Sequence, residues 1–211
     1  MNNFEKTIFG LSVLSIIIII LILPLRMFVF DSSYYDSQFQ KNNVYNSINK
    51  SLATDIKENL LNFLQEGDAL NYFSEEEKSH LNDVRVLFSK FFFVLWAGIG
   101  LLIISSGILI FRKKFKENVF KILFLGGLCS FVLIILLFLA SLNFEMTFGN
   151  FHKMFFPQGN YSFADTSLLI TLFPANFFNA FFLKLLVSSF TLSLLSMVPQ
   201  LWINKRNNLK K

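Results

Sequence analysis

Proton transfer near neutral pH is the chemistry that the rarest polar side chains of this sequence suggest. The 211 residues contain only two histidines, His80 and His152. Imidazole is the side chain best suited to acid–base work at that pH. Glu76 and Glu77 precede His80 by four and three residues and Asp83 follows it by three. At helical spacing these carboxylates share its face and can orient the ring. Asp165 is the corresponding candidate for His152. A lone histidine in an apolar setting is more often structural than catalytic, so position by itself is weak evidence.

Other chemistries have less support. Zinc wants three or four N, O or S ligands. Two histidines with scattered carboxylates and no HExxH spacing make a poor set, so no metal and no cofactor is expected. There is no GxSxG elbow, phosphate-binding glycine loop or nucleotide signature. The single Cys129 lies inside an apolar run, where a thiol resists ionisation. It reads as packing beside Gly126 and Gly127, small residues that let another helix approach.

The elements that must position the histidines are membrane helices. Hydrophobic residues make up 54% of the chain and charged ones 16%, with 29 phenylalanines. A soluble domain carries fewer apolar and more charged residues. The apolar residues gather in four runs, about 8–30, 91–111, 119–142 and 180–203. Each is long enough for the roughly 20-residue helix that crosses a bilayer. The first run exceeds a signal-peptide core, and no small-x-small cleavage site follows in Phe28-Val29-Phe30-Asp31. It reads as an uncleaved helix. The sequence therefore predicts an all-α membrane protein, one integral domain over 1–211 with four transmembrane helices and a helical extracytoplasmic subdomain.

Charge sets the expected orientation. The N-terminus, the 112–121 loop and the C-terminal tail, including Lys210 and Lys211, hold ten basic and two acidic residues. Everything else holds nine basic and twelve acidic residues. Basic loops stay in the cytoplasm, so both termini are expected inside. The segments 31–90 and 143–179, with both histidines, are expected on the extracytoplasmic side of a bacterial plasma membrane. No basic stripe with interleaved aromatics suggests nucleic acid as a partner.

The first outer segment has helical periodicity. Leu52, Ile56, Leu60, Phe63 and Leu64 form a stripe that Gly67-Asp68 breaks. Ser74-Glu75-Glu76-Glu77 has capping-box spacing and three acids for a first helical turn. His80, Val84, Leu87 and Phe91 then follow along one face, with no Pro or Gly before Gly98, so this helix can continue into the second transmembrane run.

The second outer segment carries nine phenylalanines, including Phe148, Phe151 and Phe155 at i, i+3, i+7. It either dips into the interface or lines a cavity, or it forms an aromatic belt at headgroup level. Pro157-Gln158-Gly159-Asn160 reads as a turn. Lys184 reads as snorkelling to headgroups. Arg26 fits snorkelling or a lipid phosphate or carboxylate.

Several stretches together resemble the bacterial lipoprotein intramolecular transacylase family of small four-helix membrane proteins. They are Ser51 to Leu64, then Phe73-Ser74-Glu75-Glu76-Glu77-Lys78-Ser79-His80-Leu81-Asn82-Asp83-Val84. Next come Phe151-His152-Lys153-Met154-Phe155-Phe156-Pro157-Gln158-Gly159-Asn160, Asp165 to Pro174, and Asn176-Phe177-Phe178. The likeness runs in order along nearly the whole chain. Members often have Trp where this chain has Tyr161; either ring suits an interface.

The resemblance implies an acyltransferase that acts on diacylglyceryl-modified lipoproteins. One acyl chain would move from glycerol to the α-amino group of the lipidated N-terminal cysteine, giving a lyso-form lipoprotein. His80 and His152 match the histidines thought to carry the family's chemistry. Arg26, Arg85, Phe151, Phe155, Phe156 and Tyr161 are expected to contact substrate or membrane phospholipid. The alternatives are an outer-leaflet hydrolase and a non-enzymatic accessory subunit. Oligomeric state is not legible.

If the histidines act as acid and base without a metal, acyl transfer should survive EDTA. Loss of turnover on chelation, restored by Zn²⁺, would replace that account with a metal one.

Overall fold

The computed structural model describes residues 2–208; Lys210 and Lys211, counted above among the inner charges, lie outside the described residues. Among these residues the secondary structure is helical throughout, without strands. In chain order the helices are α1 (Asn3–Phe28), α2 (Ser32–Lys41), α3 (Val44–Ser47), α4 (Lys50–Glu66) and α5 (Glu75–Phe111). They continue with α6 (Phe115–Ser141), α7 (Phe144–Phe155), α8 (Leu168–Leu172) and α9 (Ala175–Asn208). Four of them, α1, α5, α6 and α9, are long and apolar enough to cross a bilayer. The chain is a membrane protein of the class the sequence predicts.

The residues fall into two compact units. One comprises 1–25, 91–139 and 185–211, the apolar parts of the four long helices. Its packing relies on small residues. A Cβ at Gly126 would strike Ile16 of α1, and one at Gly127 would strike Ser193 and Ser196 of α9. Lipid tails give helices little hydrophobic reason to associate, so close backbone approach and polar links matter more. Buried Ser12 supplies one such link, donating to Ser105 Oγ at 2.8 Å. The glycines thus play the role expected of them, whereas Cys129 does not: it is exposed. It follows Gly126 by three residues, yet the buried face continues at Ser130.

The other unit comprises 26–90 and 140–184. Its core gathers Tyr34, Tyr35 and Phe39 of α2 and Ala53, Ile56, Leu60, Phe63 and Leu64 of α4. Leu81 of α5, Leu169 and Leu172 of α8, and Phe177 of α9 are among its other members. Each fully buried Leu, Ile or Phe contributes roughly 1.5–3 kcal/mol. The α4 stripe differs from the expected one at its start. Leu52 is exposed and Ala53 takes the buried position, since Ala53, Ile56, Leu60 and Leu64 repeat at three- and four-residue steps. Gly67 ends α4 with φ +86°, and its missing Cβ leaves room for the Arg85 guanidinium.

The N-terminus of α5 is fixed by the capping box. Ser74 N–H donates to Glu77 Oε2 at 2.8 Å, and Glu77 N–H donates to Ser74 Oγ at 3.3 Å. The second Glu77 oxygen reaches further along the chain, accepting from the Leu169 N–H of α8 at 2.7 Å. Glu77 is 3% exposed. One buried carboxylate therefore caps the start of α5 and ties the 143–179 segment to it. Glu77→Ala strands two amide donors, one of them buried, and should cost about 2–4 kcal/mol. Thermal unfolding of the two proteins in the same detergent checks this; an unchanged midpoint would mean that the bridge contributes nothing.

Candidate functional site

His80 stands in the second turn of α5, within the charged stretch that precedes the apolar run from Phe91. It is 7% exposed. His152 comes from the last turn of α7, an amphipathic helix with none of its residues buried. Its sequence puts Phe148, Phe151, His152 and Phe155 at three- and four-residue steps, so one face carries the ring beside aromatic neighbours.

The two imidazoles stack, with ring centroids 6.0 Å apart and planes 24° apart. Phe156, 2% exposed, touches both, at 4.9 Å from His80 and 5.5 Å from His152. Phe163 closes on His80 at 5.6 Å. Phe148 and Tyr161 close on His152 at 4.3 and 5.1 Å. The pair sits in an apolar aromatic wall that leaves few polar partners for the ring nitrogens.

His152 has one such partner. Its Nδ1 lies 2.8 Å from the Phe148 carbonyl oxygen. A carbonyl only accepts, so Nδ1 carries the hydrogen and Nε2 keeps the lone pair. Burial holds the His152 pKa below the ordinary 6.5, against the opposing effect of that carbonyl. His80 is pushed down to about 4, by burial first and then by the neighbouring His152, with Asp83 and Asn160 acting the other way. Desolvation disfavours the charged imidazolium in both.

The carboxylates have separate positions. Glu77 is committed to Ser74 and Leu169, so its effect on His80 runs through the helix end it fixes. Glu76 lines an open groove of about 420 Å³ with Glu75, Ser79, Asn160, Ser162 and Phe163. Asp83 accepts from Gln158 Nε2 at 2.7 Å and from Asn160 Nδ2 at 2.6 Å. Asp165 is exposed, and the partner fixing His152 is the Phe148 carbonyl in its place. An i−4 carbonyl inside the same helix is nearer to hand than a carboxylate thirteen residues away.

The contact candidates are dispersed. Phe151, Phe156 and Tyr161 adjoin His152, and Phe155 adjoins Phe151 at 4.8 Å. Arg85 lies over the Phe63 ring at 5.5 Å, and Arg26 over Phe30 at 5.0 Å. Lys184 reaches Asp31 Oδ2 at 3.5 Å and lies over Phe28 and Tyr34, a paired position in place of simple snorkelling. Among the described residues no three of His, Cys, Asp and Glu converge on one point. Phe148, Phe163, Gln158 and Asn160 belong to the site although the sequence reading assigned them no role there. The turn signal at Pro157–Asn160 was the available clue, since two amide side chains flank its glycine.

Residues 10–178 match the family model described as lipoprotein intramolecular transacylase Lit. Among solved structures, the membrane integral lipoprotein intramolecular transacylase Lit from Bacillus cereus shares the fold with a TM-score of 0.87. It is 21% identical, over 99% of this chain and 100% of that one. Two structures of the same protein with a histidine replaced give TM-scores of 0.80 and 0.81 at 22% identity. They cover 99% and 98% of this chain and 95% and 96% of theirs. No curated protein matches.

The lowered pKa values fix a pH dependence. In the unfolded chain both imidazoles titrate near 6.5, and in the folded one His80 does so near 4 and His152 below 6.5. Between about 6.5 and 4 the unfolded state binds more protons, so this contribution to stability is whole above 6.5 and is lost as pH falls. ¹⁵N titration of the histidines should give a His80 midpoint near 4, with the thermal midpoint declining over the same range. A His80 midpoint at 6.5 or above would contradict the burial argument.

Proposed function

The chain belongs to the lipoprotein intramolecular transacylase family, and on that premise we propose that His80 and His152 are its acid–base pair. The enzyme is an acyltransferase whose substrate is a lipoprotein. In the reaction we propose, the ester at one glycerol carbon and the α-amino group of the lipidated cysteine belong to one substrate molecule. The nucleophile arrives with the ester, which accounts for a site without an activated Ser or Cys.

The steps follow from the two rings. A neutral imidazole takes a proton from the substrate ammonium. The amine nitrogen attacks the ester carbonyl, and the tetrahedral intermediate carries an oxyanion beside the new imidazolium. The imidazolium returns its proton to the departing glycerol oxygen, and a neutral imidazole then takes the second nitrogen-bound proton, so that only one ring is charged at a time. The N–C bond forms, the C–O bond breaks, and one proton leaves overall. Phe148, Phe151, Phe156 and Phe163 exclude water, which favours aminolysis over hydrolysis. The observation that carries this reading is the 6.0 Å stacking of the chain's only two histidines within aromatic walls. It favours an enzyme over an accessory subunit.

The charge asymmetry supports a multi-pass protein of the bacterial plasma membrane with both termini cytoplasmic and the site on the outer face. We assign its spans to about 8–30, 91–111, 119–142 and 180–203. Phe151, Phe155 and Tyr161 are then suited to acyl chains, and Arg26 to phospholipid headgroups.

His80→Asn and His152→Asn should each leave a folded, membrane-inserted protein and lower turnover by about 10²–10⁴-fold. The double variant should be little worse than the worse single one, as residues acting as a unit are not additive. Mass spectrometry of a lipoprotein N-terminus, in cells lacking other N-acylating enzymes, reads out the lyso form. Near-normal activity in either single variant removes that residue from the mechanism.

A further inference from the structure

Gln158 and Asn160 reach α5 from the turn that follows α7. Gly159 N–H donates to the Phe156 carbonyl at 3.0 Å, and Gly159 has φ +79°, where only glycine is at ease. This reversal directs both flanking amides at Asp83. Gln158 Nε2 and Asn160 Nδ2 donate to the same oxygen, Asp83 Oδ2. Asn160 Nδ2 also lies 3.3 Å from Ser79 Oγ.

These contacts decide which way the Asn160 amide faces. The carboxylate accepts and cannot donate, so Nδ2 must be the atom at Asp83. Oδ1 is then turned away from it. Oδ1 of Asn160 and Nδ1 of His80 are both buried atoms without a hydrogen-bond partner among the described residues. Asp83 follows His80 by three residues on α5, so the amide it holds lies on the same side of the helix as the ring. The His80 electrostatics include a hydrogen-bond contribution from the Asn160 side chain.

We propose that Asn160 is a positioning residue for His80: its Oδ1, aimed by Asp83, accepts from Nδ1–H and leaves the Nε2 lone pair as the base. The opposite tautomer would set the Nδ1 lone pair against the Oδ1 lone pairs and leave both buried atoms unsatisfied. His152 is fixed the same way by a different device, the Phe148 carbonyl. Both rings then present Nε2 lone pairs at rest, and the acid of the reaction is whichever imidazole has just taken the substrate's proton. The catalytic half of this inference rests on His80 acting as a base; the tautomer itself does not.

The test uses the full-length protein in detergent with ¹⁵N-labelled histidine. Two histidines give two ring spin systems, and His152→Asn assigns them. The wild type at pH 7.5 should show His80 protonated at Nδ1 and bare at Nε2. Asn160→Ala should release that preference toward a mixture, with kcat lower by about ten- to a hundredfold and KM little changed. A wild-type His80 protonated at Nε2 overturns the proposal without any variant having to fold. So does an Asn160→Ala protein whose His80 tautomer is unchanged. A shifted tautomer with full activity overturns the catalytic half, and with it His80 as the base.

Discussion

The buried carboxylate of Glu77 is the interaction on which the site depends. A charge that is 3% exposed must have its lone pairs satisfied, or its desolvation would cost several kcal/mol. Glu77 meets this demand with two backbone amides, Ser74 N–H and Leu169 N–H, at 2.8 and 2.7 Å. The same two bonds define where α5 begins and where α8 must lie. His80 is three residues from Glu77 on α5. His152 and Asn160 belong to the 143–179 segment, the one that Leu169 anchors. Moving either anchor would shift one imidazole relative to the other.

The aromatic walls have a second consequence. Seven of the ring contacts around the two histidines involve Phe, Tyr or the other imidazole, and these have little to offer a positive charge except a π face. The resting site is therefore neutral. Each imidazole needs only one polar contact, at Nδ1, to settle its tautomer. A backbone carbonyl serves the ring on α7. For the ring on α5, whose Nδ1 lies away from its own helix carbonyls, the candidate is an amide borne by a turn.

Much of this was legible in the sequence, and the reasons are physical. Long apolar runs report membrane helices because hydrocarbon tolerates little else. The Ser74–Glu77 box was readable because capping is local, with donor and acceptor three residues apart. The bond from Glu77 to Leu169 spans 92 residues and goes to a backbone amide. No side-chain pattern announces such a partner. The same holds for His152: carboxylates were the natural orienting candidates, but the Phe148 carbonyl is always present one turn back and needs no particular residue. Helical spacing places Asp83 beside His80, whereas its hydrogen bonds come from Gln158 and Asn160. Amides of that kind carry no charge and no titration, so composition and pattern give them little weight. The Leu52 position differs for a simpler reason: Leu52 and Ala53 both fit the spacing to Ile56, and Ala53 is the one turned to the side that packs against α2 and α3.

Two imidazoles at 6.0 Å cannot both be charged cheaply. At an effective dielectric of about 20, two unit charges at that separation repel by roughly 3 kcal/mol, or about two pKa units. Burial already disfavours the first charge, and repulsion disfavours a second. The pair is therefore neutral at rest and takes up one further proton at most without strain. Aminolysis of an ester has matching needs. The ammonium must shed a proton before its nitrogen can attack, and the glycerol oxygen must gain one as it leaves. In the proposed mechanism a single mobile proton passed across two neutral rings would serve both steps. A permanently protonated partner would be a better acid, but beside it the second ring would be a weaker base and the ammonium would be repelled. In that mechanism the stacked, desolvated geometry would trade resting acidity for a base that is available whenever substrate arrives.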